Sequence, residues 1–325
     1  MASQLPLTFA GSEIITKVFY QGWMDGKDVR EALHDARVAL YKEPDAGHDW
    51  VSMVSYVRLP EGYNDYLLDV RLKAELAALE TSSRHAAYLL EHNIKDAFQY
   101  GQVIERLQQR IKRLHEFLDH HKTEGYKSKK EVIQENAGLL ASAYKRLAEL
   151  FHNRAIDDPE RAKQWTEESR SALTEARDAY QKGFAHNTSH HWTGVQYLAL
   201  EAVLTGKMSN TLAWYACYLA ATTERDFPET DETTRVWALG SIAELSLLAQ
   251  LAEGVQPGDD AATTLLDLCQ RVRSSPGVFH DDFPIQSTRR QLMHYINWWT
   301  KLNGFFGERE SDVSALVQEL LKNLD

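Results

Sequence analysis

Histidines and cysteines are the residues of this chain that could hold a metal or attack a carbonyl, so their spacing comes first. His186 and His190 stand four apart, and His120-His121 and His190-His191 are doublets. Two His on one helical turn can bind Zn²⁺, but a structural or catalytic site needs a third ligand and usually a fourth. None recurs at a useful spacing, and the stretch after Phe184 reads as a polar turn. The two cysteines, Cys217 and Cys269, give neither a disulfide framework nor metal-ligand spacing. Cys217 sits in Tyr-Ala-Cys-Tyr within an apolar helix and reads as a packing residue. Gly206-Lys207 lacks the upstream glycine and preceding strand of a phosphate-binding loop. Asp157-Asp158 and Asp259-Asp260 read as acids that start helices rather than as an acid/base couple. The expectation is a chain with no catalytic residue, no metal and no cofactor.

The elements that must position any functional group are helices. Between Glu135 and Leu251, small residues alternate with large ones at helical spacing: Leu140, Ala141 and Tyr144; Ala176, Tyr180 and Gly183; Leu198, Ala199 and Ala202; then Tyr215 and Tyr218. Small residues where two helices approach, and large ones three or four positions on, fit paired helical repeats. The 325 residues, 43% apolar and 26% charged, are enough for a sizeable core of ordinary soluble type. Eight Trp and fourteen Tyr suit the wide gaps between stacked helices. A net charge of −11 argues against sequence-independent nucleic-acid binding, and the locally basic run Arg106–Lys130 reads as a solvated helix face. The first residues lack a basic, apolar leader. The most apolar helix, Thr211 to Ala221, is about half a bilayer span. The reading is cytoplasmic, with no membrane partner.

Three regions follow from the pattern. Residues 1–65 hold a helix from Ser12, a second helix capped by Asp28, a break at Pro44 and Gly47, and a strand from Trp50 to Leu59 whose nearest partner is Leu5 to Phe9. Residues 66–125 carry a heptad seam (Leu72, Leu76, Leu79, Ala86, Leu90, Ile104, Leu107, Ile111, Leu114) with Gly101 as its weak point. One continuous helix here would be roughly 80 Å long. The segment is one long helix or a helical hairpin, and its seam must be covered by the repeats, by folding back as a hairpin, or by a second copy in a coiled-coil homodimer. Residues 126–325 begin with a linker around Lys127–Lys130. Helices follow over 132–151, 159–184, 192–205, 209–223, 231–251, 261–273, 287–302 and 311–324.

Two resemblances attach to these residues. Phe19-Tyr20, Gly26, Val29, Ala32-Leu33, Ala36-Arg37, Leu40, Trp50 and Tyr56 resemble the C-terminal end of a CHAT domain, a caspase-like fold. That family's catalytic His and Cys have no counterpart in this chain. Gly138-Leu139-Leu140, Ala143-Tyr144-Lys145, Ala179 to Phe184, Trp192 to Gln196 and Thr205-Gly206 resemble a tetratricopeptide-type module. More narrowly, they are similar to the TRAF-binding region of the mitogen-activated kinase kinase kinases and its bacterial relatives. Thr188 departs from that pattern, standing where a Pro is usual.

The fold expected is mainly α: a tetratricopeptide-like helical-repeat solenoid with a small α/β N-terminal piece and a long heptad-patterned segment. The function expected is a non-catalytic scaffold for a protein or peptide. The alternative is the regulatory or C-terminal part of a caspase-like cysteine peptidase. In such repeats the first helix of each pair lines the inner surface. Treating Tyr144 and Ala202 as equivalent places Ser142, Lys145 and Gln196 there, with Lys145 meeting a partner carboxylate and Gln196 its backbone.

Overall fold

The computed structural model describes the chain apart from residues 1, 4–6, 26, 55–60, 93, 95, 124–129, 207, 209, 252–254, 257, 280 and 303–309. The chain divides into two compact units, Met1–Ala78 with Lys112–Ser128, and Leu79–Ile111 with Lys129–Asp325. The described elements are overwhelmingly helical, as the sequence pattern requires.

In the first unit, α1 (Phe9–Met24) packs on α2 (Val29–Lys42) through Ile15, Phe19, Ala32, Leu33, Ala36 and Leu40. Thr8, rather than Ser12, caps α1, its hydroxyl accepting from the Gly11 amide; Asp28 caps α2 as the sequence indicates. The strand expected over Trp50–Leu59 is corrected. Asp49–Ser52 is a helical turn, α3, and among the described residues Met53–Val54 (β2) pairs, antiparallel, with Ala2–Ser3 (β1). The Asp49 carboxylate explains the turn. It accepts from the Thr8 amide at 2.9 Å and the Thr8 hydroxyl at 2.6 Å, a tertiary anchor that overrides local β propensity. Gly26, Tyr56 and the remainder of the expected strand lie outside the described residues.

The heptad segment is two helices, α4 (Tyr63–Glu91) and α5 (Ala97–Thr123), parted at 92–96 and continuous through Gly101. Asp96 makes the new start, accepting from the amides of Phe98 and Gln99. Leu72, Leu76, Leu79, Ala86, Leu107, Ile111 and Leu114 are all buried within the single chain. Leu90 of the same seam is half-buried.

The repeats follow as α6 (Lys130–Asp157), α7 (Ala162–His186), α8 (His191–Thr205), α9 (Thr211–Asp226), α10 (Glu232–Leu251), α11 (Ala261–Ser274), α12 (Phe283–Asn297) and α13 (Glu310–Lys322). The loop expected after Phe151 is absorbed into α6, which runs on to Asp157. Asp158 then accepts from the Arg161 amide at the turn opened by Pro159. Gly206 ends α8 in the left-handed conformation at φ 79°, the geometry in which glycine alone avoids strain. Buried polar ties fix helix register. Ser169 of α7 donates to the Ala148 carbonyl of α6 at 2.7 Å, and the Trp214 indole of α9 donates to the Leu245 carbonyl of α10 at 2.9 Å. α8 is buried on almost every face, consistent with its place between α7, α9 and α10. Among the described residues, no helix is long and apolar enough to cross a membrane.

Candidate binding site

The first helices of the four successive pairs are α6, α8, α10 and α12. Each contributes one long polar side chain to a single buried cluster: Lys145, Gln196, Glu244 and Gln291. The Lys145 ammonium donates to Gln196 Oε1 at 2.8 Å and to Gln291 Oε1 at 2.5 Å. Both amides then turn their nitrogens on Glu244, Gln196 at 3.4 Å and Gln291 at 2.6 Å. The result is a closed ring, lysine to glutamate by two glutamine bridges. Tyr295 adds a hydroxyl to Glu244 at 2.9 Å, and the Trp299 ring lies 5.1 Å from the ammonium. A buried ion pair holds only when its remaining donors and acceptors are satisfied, and the glutamines do that here. Burial lowers the Lys145 pKa against the pull of Glu244, and burial raises that of Glu244.

A histidine–carboxylate pair lies beside the ring. His294 of α12 and Glu149 of α6 are 3.3 Å apart. Burial pushes the His294 imidazole down to about 4, so it is neutral at pH 7. Burial would raise the Glu149 pKa, but the contact with His294, and then the charges of Arg146 and Lys145, lower it. The Ser142 hydroxyl meets the Tyr180 phenol at 3.1 Å, and burial pushes that phenol up to about 12, leaving it protonated. His191, at the start of α8, bridges Ser241 of α10 and Glu224 of α9, each at 2.9 Å. This serine–histidine–glutamate chain resembles a nucleophile relay. Ser241, however, lies inside α10, whose backbone amides are committed to the helix, so no backbone oxyanion donors adjoin it. The chain works as a tie between three helices.

These side chains surround a cavity of about 150 Å³, lined among others by Ser142, Lys145, Arg146, Trp192, Gln196 and Arg290. A second cavity of about 720 Å³ shares Arg146, Arg290 and His294 with it as common wall. Trp192 is 40% exposed, and its ring meets Tyr180 edge-on at 5.6 Å.

Ser142, Lys145 and Gln196 line one cavity. Lys145 and Gln196 bond to each other across 51 residues of sequence. Neither lies on an open groove: Lys145 is 7% exposed and Gln196 6%. Glu244, Gln291 and Arg290 were not anticipated, although a signal was present. The steps from Gln196 to Glu244 and from Glu244 to Gln291 are 48 and 47 residues. Each ring residue also has a Ser or Thr three positions before it: Ser142, Thr193, Ser241 and Thr288.

Elsewhere, Cys217 is buried and its thiol is pushed up to about 12 by burial, which removes it as a nucleophile at neutral pH. It packs where Gly194 leaves room; a Cβ on Gly194 would stand 2.2 Å from the Cys217 sulfur. His190 lies edge-on to Trp192 and 3.3 Å from the Thr193 hydroxyl, while His186 is exposed at the end of α7. Among the described residues, no group of three His, Cys, Asp or Glu could hold a metal ion.

Stacked helix pairs presenting the first helix of each to one inner cavity define a helical-repeat module of tetratricopeptide type. Residues 72–201 match the family model described as Tetratricopeptide Repeats-Sensor. The matched stretch includes Ser142, Lys145, Arg146 and Gln196 and ends before Glu244 and Gln291; it does not reach residues 1–65. No curated protein and no solved structure matches the chain.

Proposed function

We propose that this chain is a non-catalytic interaction scaffold, holding a protein partner on the inner layer of its helical repeats. The observation that carries this reading is the convergence of α6, α8, α10 and α12 on one polar cavity with Trp192 at its edge. A polar ring that only stabilised the stack would have no need of an adjoining cavity, a half-exposed indole or two further arginines. Helical-repeat modules bind partners along such inner surfaces, and large aromatic side chains beside arginines are the usual anchors of protein contacts. The "sensor" in the matched family's description agrees with a module whose task is capture. Lys145 and Gln196 serve as the floor of this site, already engaged with each other, and Trp192, Ser142, Arg146 and Arg290 make the contacts. The peptidase alternative draws no support from residues 1–65, whose described elements are helices and one two-residue ladder.

The test is to cross-link the full chain to its partner in the native cell, identify the joined segment by mass spectrometry, and titrate that segment. The expected result is a binding loss of at least tenfold in Trp192→Ala with an unchanged melting curve. Equal affinity for the parent and variant would move the site off the inner layer.

A further inference from the structure

α9 is an outer helix of the stack, yet it turns apolar residues to solvent. Leu212, Tyr215 and Leu219 are 80%, 48% and 68% exposed, and their spacing of three and four puts them on one face. Ala216 and Ala220, both half-buried, flank that stripe and leave it low enough for a second helix to approach closely. No charged residue occurs from Thr211 to Thr223. The charges that follow are already paired within the chain, Glu224 with His191 and Arg225 with Asp226 and Asp259. α7, another outer helix, shows the contrast. Its exposed positions include Lys163, Glu167, Glu168, Arg170 and Glu175, and no large apolar residue. A single exposed leucine is ordinary, whereas a stripe of large apolar side chains on one helix marks an interface.

We propose that this face of α9 binds the same face of a second copy of the chain, antiparallel, in a weak two-fold dimer. Three considerations select a second copy over another partner. The stripe is its own complement. With the two-fold axis between positions 215 and 216, Leu212 lies against Leu219 of the partner subunit, and the two Tyr215 rings meet at the axis. A face without charge also carries no electrostatic code by which a foreign partner is chosen. Finally, copies of net charge −11 repel each other, and they are best joined through a face that brings no charge of its own. The same acidity, with no basic residue from Thr211 to Glu224, turns the stripe away from an anionic membrane. One helix face covers less than the roughly 800 Å² per partner of a standard interface, so the dimer dissociates on dilution. α9 lines neither cavity, so both inner layers stay open in the dimer, whatever they hold. A partner with two binding segments then gains avidity.

The experiment is sedimentation equilibrium of the full chain at concentrations up to about 100 µM, the range of weak complexes. It is repeated on Leu212→Glu and Leu219→Glu, with flotation of each protein on phosphatidylcholine–phosphatidylserine vesicles. Both leucines are exposed, so the variants should fold, which melting curves check. The parent chain is expected to dimerise reversibly, and more tightly at higher salt, which screens the repulsion between acidic copies. Each variant should raise the dissociation constant at least tenfold. Tyr215→Cys should cross-link to itself on oxidation, and Val278→Cys, 49% exposed on another element, should not. The native Cys217 and Cys269 are buried and give no background. A parent chain that stays monomeric overturns the proposal, as does a dimer that both glutamate variants leave intact. Loss of the dimer in those variants without the Tyr215→Cys cross-link overturns the antiparallel pairing. Vesicle binding by a monomeric parent chain, abolished in Leu219→Glu, would make lipid the occupant instead.

Discussion

The α1–α2 pair and the inner layer of the repeats are both made of packed helices, yet they are specified in opposite ways. Between α1 and α2 the contact is apolar, from Ile15 and Phe19 to Leu33 and Leu40; the Lys27–Asp35 pair is exposed, and the buried Asp28 and Asp49 carboxylates bond to Arg30 and Thr8. Such a contact is non-directional and tolerates small shifts of one helix along the other. In the inner layer, α6, α8, α10 and α12 are joined by a ring of hydrogen bonds in which Lys145 donates to Gln196 and Gln291 and both glutamines donate to Glu244. Sliding any one of the four helices by a turn breaks two hydrogen bonds and strands a buried charge. The apolar pair supplies stability at low specificity. The ring supplies register and, with it, a cavity of defined shape.

The sharpest way to break that contrast is to remove one charge. Lys145→Met leaves Glu244 buried without its counter-charge and should destabilise the repeats by about 3–5 kcal/mol. Adding Glu244→Leu should recover most of the loss, because removing both charges removes the desolvation cost as well. Urea unfolding of the single and double variants measures it. A simple sum of the two single losses would show that the ring is not a coupled unit.

Acid separates the two regions next. His294 has a folded-state pKa of about 4 against an ordinary value of 6.5. The unfolded chain therefore binds more protons between these values, and the stability contributed is full above pH 6.5 and lost as pH falls towards 4. The expected loss is roughly 3 kcal/mol. It should shrink in His294→Asn, as read from the pH dependence of thermal melting. No titratable side chain belongs to the α1–α2 core cluster to give it the same window.

Packing beneath the ring gives a smaller effect. Gly194→Ala would drive a Cβ against Cys217 and Phe184 and should cost about 1–3 kcal/mol. Adding Cys217→Ala should recover part of it, as a shift in melting temperature. On the other side of the comparison, Asp28→Ala removes the α2 cap and its contacts to Arg30 and should cost about 1 kcal/mol.

Much of the fold was legible from local pattern. The starts and ends of α8 and α10, and the glycine that closes α8, follow from apolar periodicity and capping residues. Where pattern and structure part, the causes are contact from far along the chain and, in the heptad segment, a local cap. Trp50 to Leu59 has strand composition, but Asp49 is claimed by Thr8, 41 residues away. The heptad seam continues across 92–96 in pattern while Asp96 starts a new helix. At the site, Ser142, Lys145 and Gln196 could be placed on inner helices from their positions. Their burial and mutual bonding could not, because these depend on Glu244, 48 positions beyond Gln196, and on Gln291, 146 positions beyond Lys145. The recurrence of Ser or Thr three residues before each ring position is the pattern that joins all four.

A partner on the inner layer and a partner on the outer helices protect different peptides. α9 offers the competing surface, with Leu212, Tyr215 and Leu219 exposed by 80%, 48% and 68%. Hydrogen–deuterium exchange of the full chain with and without its cross-linked partner segment separates the two directly. Binding on the inner layer should slow exchange in the peptides spanning Ser142–Arg146, Trp192–Gln196 and Arg290–His294, with Leu212–Leu219 unchanged. Protection confined to Leu212–Leu219 would place the partner on α9 instead.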